Sequence, residues 1–170
     1  MFVDEFSVNT AMTRTRARAP KGKRARVIEP FNRGVNVSCI GALSLSGYQA
    51  PMMIEGPIDT PVFDLYVEQF LAPDLIKGDI VILDNVKFHH SKRAAELITA
   101  AGAKLVHLPS YSPDFNPIEE CFSKIKECLR SAKARTIHKL YNAMKKAIDQ
   151  VSLDDILDGL PVVATHSNSN

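Results

Sequence analysis

Residues 79–84 read Asp79-Ile80-Val81-Ile82-Leu83-Asp84. A short, continuously apolar run of this kind is the form a strand takes when both of its faces are covered. An acid directly after such a run falls near the carboxyl end of the strand, where open α/β sheets bind ligands. Downstream, Ser91 caps a predicted helix through Ala101, and Gly102 is placed to stop it. Lys104 to Leu108 then reads as a further buried strand. Upstream, Thr60 has the character of an N-cap with Pro61 at the first helical position. Phe63, Tyr66, Val67, Phe70 and Leu71 supply the apolar stripe of that helix, which Pro73 is expected to end. Further upstream the period changes to two. Asn36–Ser46 puts Val37, Cys39, Leu43 and Leu45 on one face, with Gly41 among them. Ala50–Glu55 reads as another strand, and Pro51 assigns it to a sheet edge because proline cannot donate to a ladder. The first strand candidate is Met1-Phe2-Val3.

The order is three strands, then helix, strand, helix, strand, and two closing helices. Ile118, Phe122, Ile125, Leu129 and Ala132 stripe the first of these closing helices. Ile137, Leu140, Tyr141, Met144, Ile148 and Val151 stripe the second. This predicts an α/β fold with a mixed five-stranded sheet flanked by helices, its first three strands an antiparallel meander. Short connections and right-handed crossovers place the Leu83 strand beside the first one. Residues 1–160 form one expected domain, followed by a polar tail over 161–170 in which Thr165 to Asn170 should fray.

The chain has 170 residues, 45% of them hydrophobic and 24% charged. That is an ordinary globular composition and excludes disorder, collagen and coiled coil as global descriptions. Three cysteines do not make a disulfide framework and suit a reducing compartment. Lacking matched histidines or paired spacing, they also argue against zinc. No apolar run reaches the length of a membrane helix, and the start lacks a signal-peptide pattern. A cytosolic protein without a membrane partner is expected. Net charge is +2, but seven basic and no acidic residues lie between Arg14 and Arg26. The remainder carries 14 Lys and Arg against 19 Asp and Glu. A basic segment on an acidic body favours nucleic acid as partner, although a solvated charged loop has the same composition.

Asp4 and Asp84 each follow a buried apolar run. If their strands are neighbours, the two carboxylates face one another and repel unless a cation lies between them. Hard oxygen ligands favour Mg²⁺ or Mn²⁺. Read singly, either acid is better taken as a strand-end or turn carboxylate. Asn116, Pro117 and Glu119 are spaced as an N-cap, an N1 proline and an N3 partner, so Glu119 reads first as a helix-start residue. Glu120 is a second candidate for any ligand role at that place.

Three stretches together change the weight of these acids. Val81-Ile82-Leu83-Asp84-Asn85 is followed by His89 and Lys92, then by Leu108-Pro109-Ser110-Tyr111-Ser112-Pro113-Asp114-Phe115-Asn116-Pro117-Ile118-Glu119. Upstream stand Phe2-Val3-Asp4-Glu5, Met12-Thr13-Arg14 and Arg18-Ala19-Pro20-Lys21-Gly22. This pattern resembles the DDE transposases of the Tc/mariner superfamily, in particular bacterial insertion-sequence transposases of the IS-six-thirty group. Thirty-four residues lie between Asp84 and Glu119, which is the family spacing of its second and third acids.

The resemblance implies an RNase H-like fold and a catalytic domain for metal-dependent DNA cleavage and strand transfer. Asp4, Asp84 and Glu119 would be the catalytic residues and would hold two Mg²⁺ or Mn²⁺ ions. Asn85 and His89 match the motif beside the metals, where they would support the ligands or position DNA, and a packed or solvated His89 stays an alternative. Arg14, Arg16, Arg18, Lys21, Lys23 and Arg24 would contact phosphates. The implied partners are transposon ends and target DNA, with a homodimer or an upstream-frame partner, in a bacterial cytoplasm and on the nucleoid when DNA-bound. The family carries a helix-turn-helix region ahead of its first acid. With Asp4 so near residue 1, that region is expected to be absent, and a catalytically idle remnant that regulates a full-length transposase is the competing reading. A ribonuclease H or junction resolvase would share the fold but not the Ser112–Glu119 stretch.

Overall fold

The computed structural model describes residues 1–26, 29–32, 34–109 and 116–152. The Ser110–Phe115 part of the motif and the expected tail over 161–170 lie outside the described residues. Five strands form one sheet in the order β3-β2-β1-β4-β5. They are β1 (Phe2–Asn9), β2 (Asn36–Ser44), β3 (Gly47–Glu55), β4 (Ile80–Leu83) and β5 (Lys104–His107). β1 to β3 are the expected antiparallel meander, and β4 lies parallel to β1 with Phe2 opposite Ile82 and Val3 opposite Leu83. β3, with Pro51, is an edge, as its proline requires.

Helices cover both faces. On one side Phe6, Val8, Val37, Cys39 and Leu43 pack against α4 (Ile118–Ala132) and α5 (Ile137–Ile148). On the other, Val3, Ile40, Ala42, Val81 and Leu83 pack against α1 (Thr60–Tyr66), the π-helical stretch Val67–Leu71 and α3 (Lys92–Ala100). Both faces of β1 and β2 are therefore buried, and alternate residues along β1 belong to opposite layers.

Several local expectations are corrected. β1 does not stop at Val3: its alternation runs on through Asp4 and Glu5 to Phe6 and Val8. The helix after β3 is capped by Asp59, whose carboxylate accepts from Val62 N–H at 3.1 Å, which puts Thr60 inside the helix. Pro73 does not end that helix at once: the helical run continues through Val67–Leu71 into α2 (Ala72–Asp74) and stops one residue after the proline. Leu45 turns out into the β2–β3 connection and is exposed, as is Ala132 at the end of α4. β5 is the second edge strand, and Lys104 and Val106 face solvent instead of a core. Ser91 does cap α3, accepting from Ala94 N–H at 3.3 Å, and Gly102 follows it with φ +83°.

Candidate active site

Asp4 does not lie at the end of its strand, as its place after an apolar run suggested. It is the third residue of β1, but its parallel neighbour β4 stops at Leu83, opposite Val3. The sheet is therefore open beside Asp4, and Asp84 enters that opening as the first residue beyond β4. Asp4 shares the α4 side of β1 with Phe2 and Phe6, at strand spacing of two. Glu119, in the first turn of α4, is exposed, as is Glu120.

Burial pushes the Asp4 carboxyl up to about 6, against a hydrogen bond from its neighbour's N–H and with the charges of Asp84 and Glu119 adding to the rise. Glu119 is thus the member of the Glu119–Glu120 pair whose charge acts on Asp4. Among the described residues, no three His, Cys, Asp or Glu side chains already stand at ligand distance from one point. The three predicted acids share an electrostatic neighbourhood without forming a closed cage.

Each oxygen of Asp4 has a donor. Glu5 N–H donates to Oδ1 at 2.7 Å, and Asn116 Nδ2 donates to Oδ2 at 2.7 Å. The second bond corrects the capping expectation: α4 begins after Pro117 with no side-chain cap, and the buried Asn116 side chain is on Asp4 instead. Glu119 is consequently not half of a capping box.

Asp84 is held from the other layer. His89, fully buried in the 3₁₀ turn Lys87–His90, places Nδ1 2.6 Å from Asp84 Oδ1, and Val86 N–H reaches the same oxygen at 3.2 Å. Burial alone would raise Asp84, but the His89 bond and charge and the Val86 N–H hold it below the ordinary aspartate value. An ionised carboxylate only accepts, so His89 Nδ1 carries the proton of that bond. The Phe63 and Phe88 rings flank the imidazole at 4.7 and 4.6 Å. Its Nε2 lies 3.5 Å from Glu5 Oε2, and neither atom has a hydrogen-bond partner among the described residues. Burial pushes Glu5 up to about 8, with Asp4 and Asp84 adding to the shift. Sequence reasoning did not single out Glu5 as a site residue, although it is the second half of the Asp4-Glu5 pair.

Asn85 sits at the rim, where its Oδ1 is 2.5 Å from His90 Nε2. His90 in turn stacks on His107 at 4.5 Å, and His107 Nε2 approaches the His89 carbonyl at 3.3 Å. Neither ring was expected at the site.

Arg14, Arg16, Arg18, Lys21, Lys23 and Arg24 are all exposed on the segment that leaves β1. Arg14 Nε donates to Ser131 Oγ at 3.3 Å, and Arg135 donates to the Thr10 and Met12 carbonyls at 3.0 and 2.9 Å. These contacts lay the segment along α4. The groove between them is lined by Arg14, Arg16, Arg18, Ser123, Glu127 and Arg130. Because α4 starts at the carboxylates and ends beside Arg14, the groove leads away from the acidic centre. Among the described residues, no helix is long and apolar enough to cross a membrane.

Residues 1–141 match the family model described as DDE superfamily endonuclease. The Tcb2 transposable element transposase of Caenorhabditis briggsae is 25% identical over 135 residues, which cover 75% of this chain and 50% of that protein. The chain thus spans about half the length of the curated relative it matches. Among solved structures, the Mos1 strand transfer complex superposes with a TM-score of 0.72 at 15% identity, over 93% of this chain and 50% of the other. The mariner Mos1 paired end complex with Mg gives 0.71 at 13% identity, over the same two shares. At these identities the superpositions establish the RNase H-like fold.

Proposed function

Because the chain belongs to the DDE superfamily endonucleases, we propose that it is a transposase catalytic domain that cuts and rejoins DNA phosphodiesters with divalent metal at Asp4, Asp84 and Glu119. The observation that carries this reading is the placement of Asp4 and Asp84 at one opening in the sheet, with the Glu119 charge acting on Asp4. The donor set fits a hard divalent cation: all three candidates are carboxylates, and the charges of Asp84 and Glu119 add to the rise of Asp4. Mg²⁺ or Mn²⁺ bound there, as a pair, would polarise the phosphodiester and lower the pKa of the attacking water.

The chain's own residues prepare that site. His89 fixes the Asp84 carboxylate and keeps it ionised, while Glu5 N–H and Asn116 fix that of Asp4. Glu119, exposed on a helix start, is free to adjust. Asn85, in its contact with His90, stands at the rim for a DNA backbone or for support of the ligands. Arg14, Arg16, Arg18, Lys21, Lys23 and Arg24 would hold phosphates along the groove beside α4. The Mos1 relatives named above were solved as paired-end and strand transfer complexes, which supports transposon ends and target DNA as substrates and a dimer as the working form.

Plasmid nicking tests the reading. Supercoiled DNA with Mg²⁺ or Mn²⁺ should be nicked by the wild type and not by Asp84→Ala. Nicking that is equal in Asp84→Ala, or that needs no metal, overturns it. For the basic segment, neutralising all six cations should flatten the log-affinity against log-salt slope by up to about 5. An unchanged slope would remove the segment from the DNA interface.

A further inference from the structure

Asn116 makes a contact that no sequence pattern announced. It is 8% exposed, and it reaches Asp4 Oδ2 across 112 positions of chain. The Glu5 N–H occupies the other oxygen, so the two donors fix the plane of the carboxylate and leave one lone pair on each oxygen. Asn116 also stands immediately before α4, where its carbonyl is 3.3 Å from the Glu119 N–H. One residue therefore holds the central acid with its side chain and the start of the Glu119 helix with its main chain. The amide is neutral, so it restrains Asp4 without adding a positive charge that would compete with a bound cation. A lysine or arginine would orient the carboxylate equally well and cancel it.

We infer that Asn116 is a positioning residue, locking the Asp4 carboxylate in orientation and setting its distance from the helix that carries Glu119. The inference rests on the metal-site reading above for its consequence, but its physical basis is the Asn116–Asp4 bond.

Two measurements test it. Thermal unfolding in EDTA of wild type, Asn116→Ala, Asp4→Ala and the double variant gives a cycle that involves no metal. The drop in unfolding temperature caused by Asn116→Ala should shrink by at least half in the Asp4→Ala background, and an additive cycle overturns the inference. Calorimetric titration with Mn²⁺ should show about 10–100-fold weaker binding for Asn116→Ala, with DNA affinity in EDTA unchanged. Asn116→Ser, which keeps a hydroxyl donor, should recover part of the loss. Wild-type Mn²⁺ affinity in a folded Asn116→Ala also overturns it. If instead wild type and Asp4→Ala take up Mn²⁺ alike, the metal-site reading fails, while the EDTA cycle still decides whether Asn116 holds Asp4.

Discussion

With divalent metal stripped, raising the pH should destabilise this protein progressively through the neutral range. The folded state raises Asp4 from 3.8 to about 6 and Glu5 from 4.5 to about 8, burial being the first cause of both. A carboxyl raised on folding contributes stability that is complete below its unfolded pKa and is lost as pH climbs through the folded value. Between about pH 5 and pH 8 the native state should hold roughly one more proton than the unfolded chain, which gives a slope of about 1.4 kcal/mol per pH unit. From pH 6 to pH 8 the loss is about 2–3 kcal/mol. In a domain of this size that corresponds to a drop of about 4–12 °C in unfolding temperature. Burial lowers the Met1 amine, and that group works in the opposite direction. The comparison with Glu5→Gln, which keeps the amine, isolates the carboxylate. Calorimetric scans in EDTA at several pH values measure the slope. Glu5→Gln should flatten it, and saturating Mg²⁺ should oppose it by stabilising the ionised acids. A metal-free unfolding temperature that is level from pH 6 to pH 8, or a Glu5→Gln slope equal to wild type, refutes the reasoning.

A methyl group at Gly41, opposite Asp4 on β2, would lie 2.4 Å from the Tyr48 ring and hydroxyl. Gly41→Ala should cost about 1–3 kcal/mol by urea denaturation, and most of that cost should vanish in a Tyr48→Ala background. Additive costs would show that the crowding is elsewhere. His89→Ala removes a buried ring between two phenyl groups together with the Asp84 bond. A loss of about 2–4 kcal/mol is expected, along with weaker Mn²⁺ binding in titrations. A stable variant with wild-type metal affinity would return His89 to simple packing.

The strands were legible where one physical rule governed a whole segment. Pro51 marks an edge because it lacks a donor, and Ile80–Leu83 does lie between two strands with Val81 and Leu83 beneath helices, but its other face is not fully covered and Ile80 is exposed. The apolar run stops short of the true end of β1 because Asp4 and Glu5 interrupt it, although Phe6 and Val8 continue its alternation. Lys104–Leu108 has the pattern of a buried strand because Leu-Val-His-Leu is equally apolar at an edge, where nothing in the local sequence reports the missing neighbour. Asp4, Asp84 and Glu119 stood out through motif spacing, whereas the groups that orient them did not. Asn116 has every local feature of an N-cap, and only the fold brings Asp4 close enough to compete for its amide. Arg135 binds carbonyls 125 and 123 positions away, and no linear pattern encodes such a contact.

The unequal lengths of two parallel strands connect fold to chemistry here. β1 runs eight residues and β4 only four. Had β4 continued beside β1, Asp84 would belong to the ladder and point across the sheet at strand spacing, with its backbone paired. Because β4 stops opposite Val3, Asp84 is free to turn in toward Asp4, and the 3₁₀ turn that follows brings His89 beneath both acids. That turn packs between Phe63 and the sheet edge, so the acidic centre borrows its rigidity from the apolar layer on the far face. Glu5 belongs to the same arrangement. Strand alternation sends it to that far side, where its carboxyl meets the His89 ring in place of the cation site. Two adjacent acids on one strand thus face opposite layers: Asp4, itself buried, faces α4, while the half-buried Glu5 faces the His89 ring, and each still acts on the other. Lengthening β4 by one paired residue would close this opening without altering a single carboxylate.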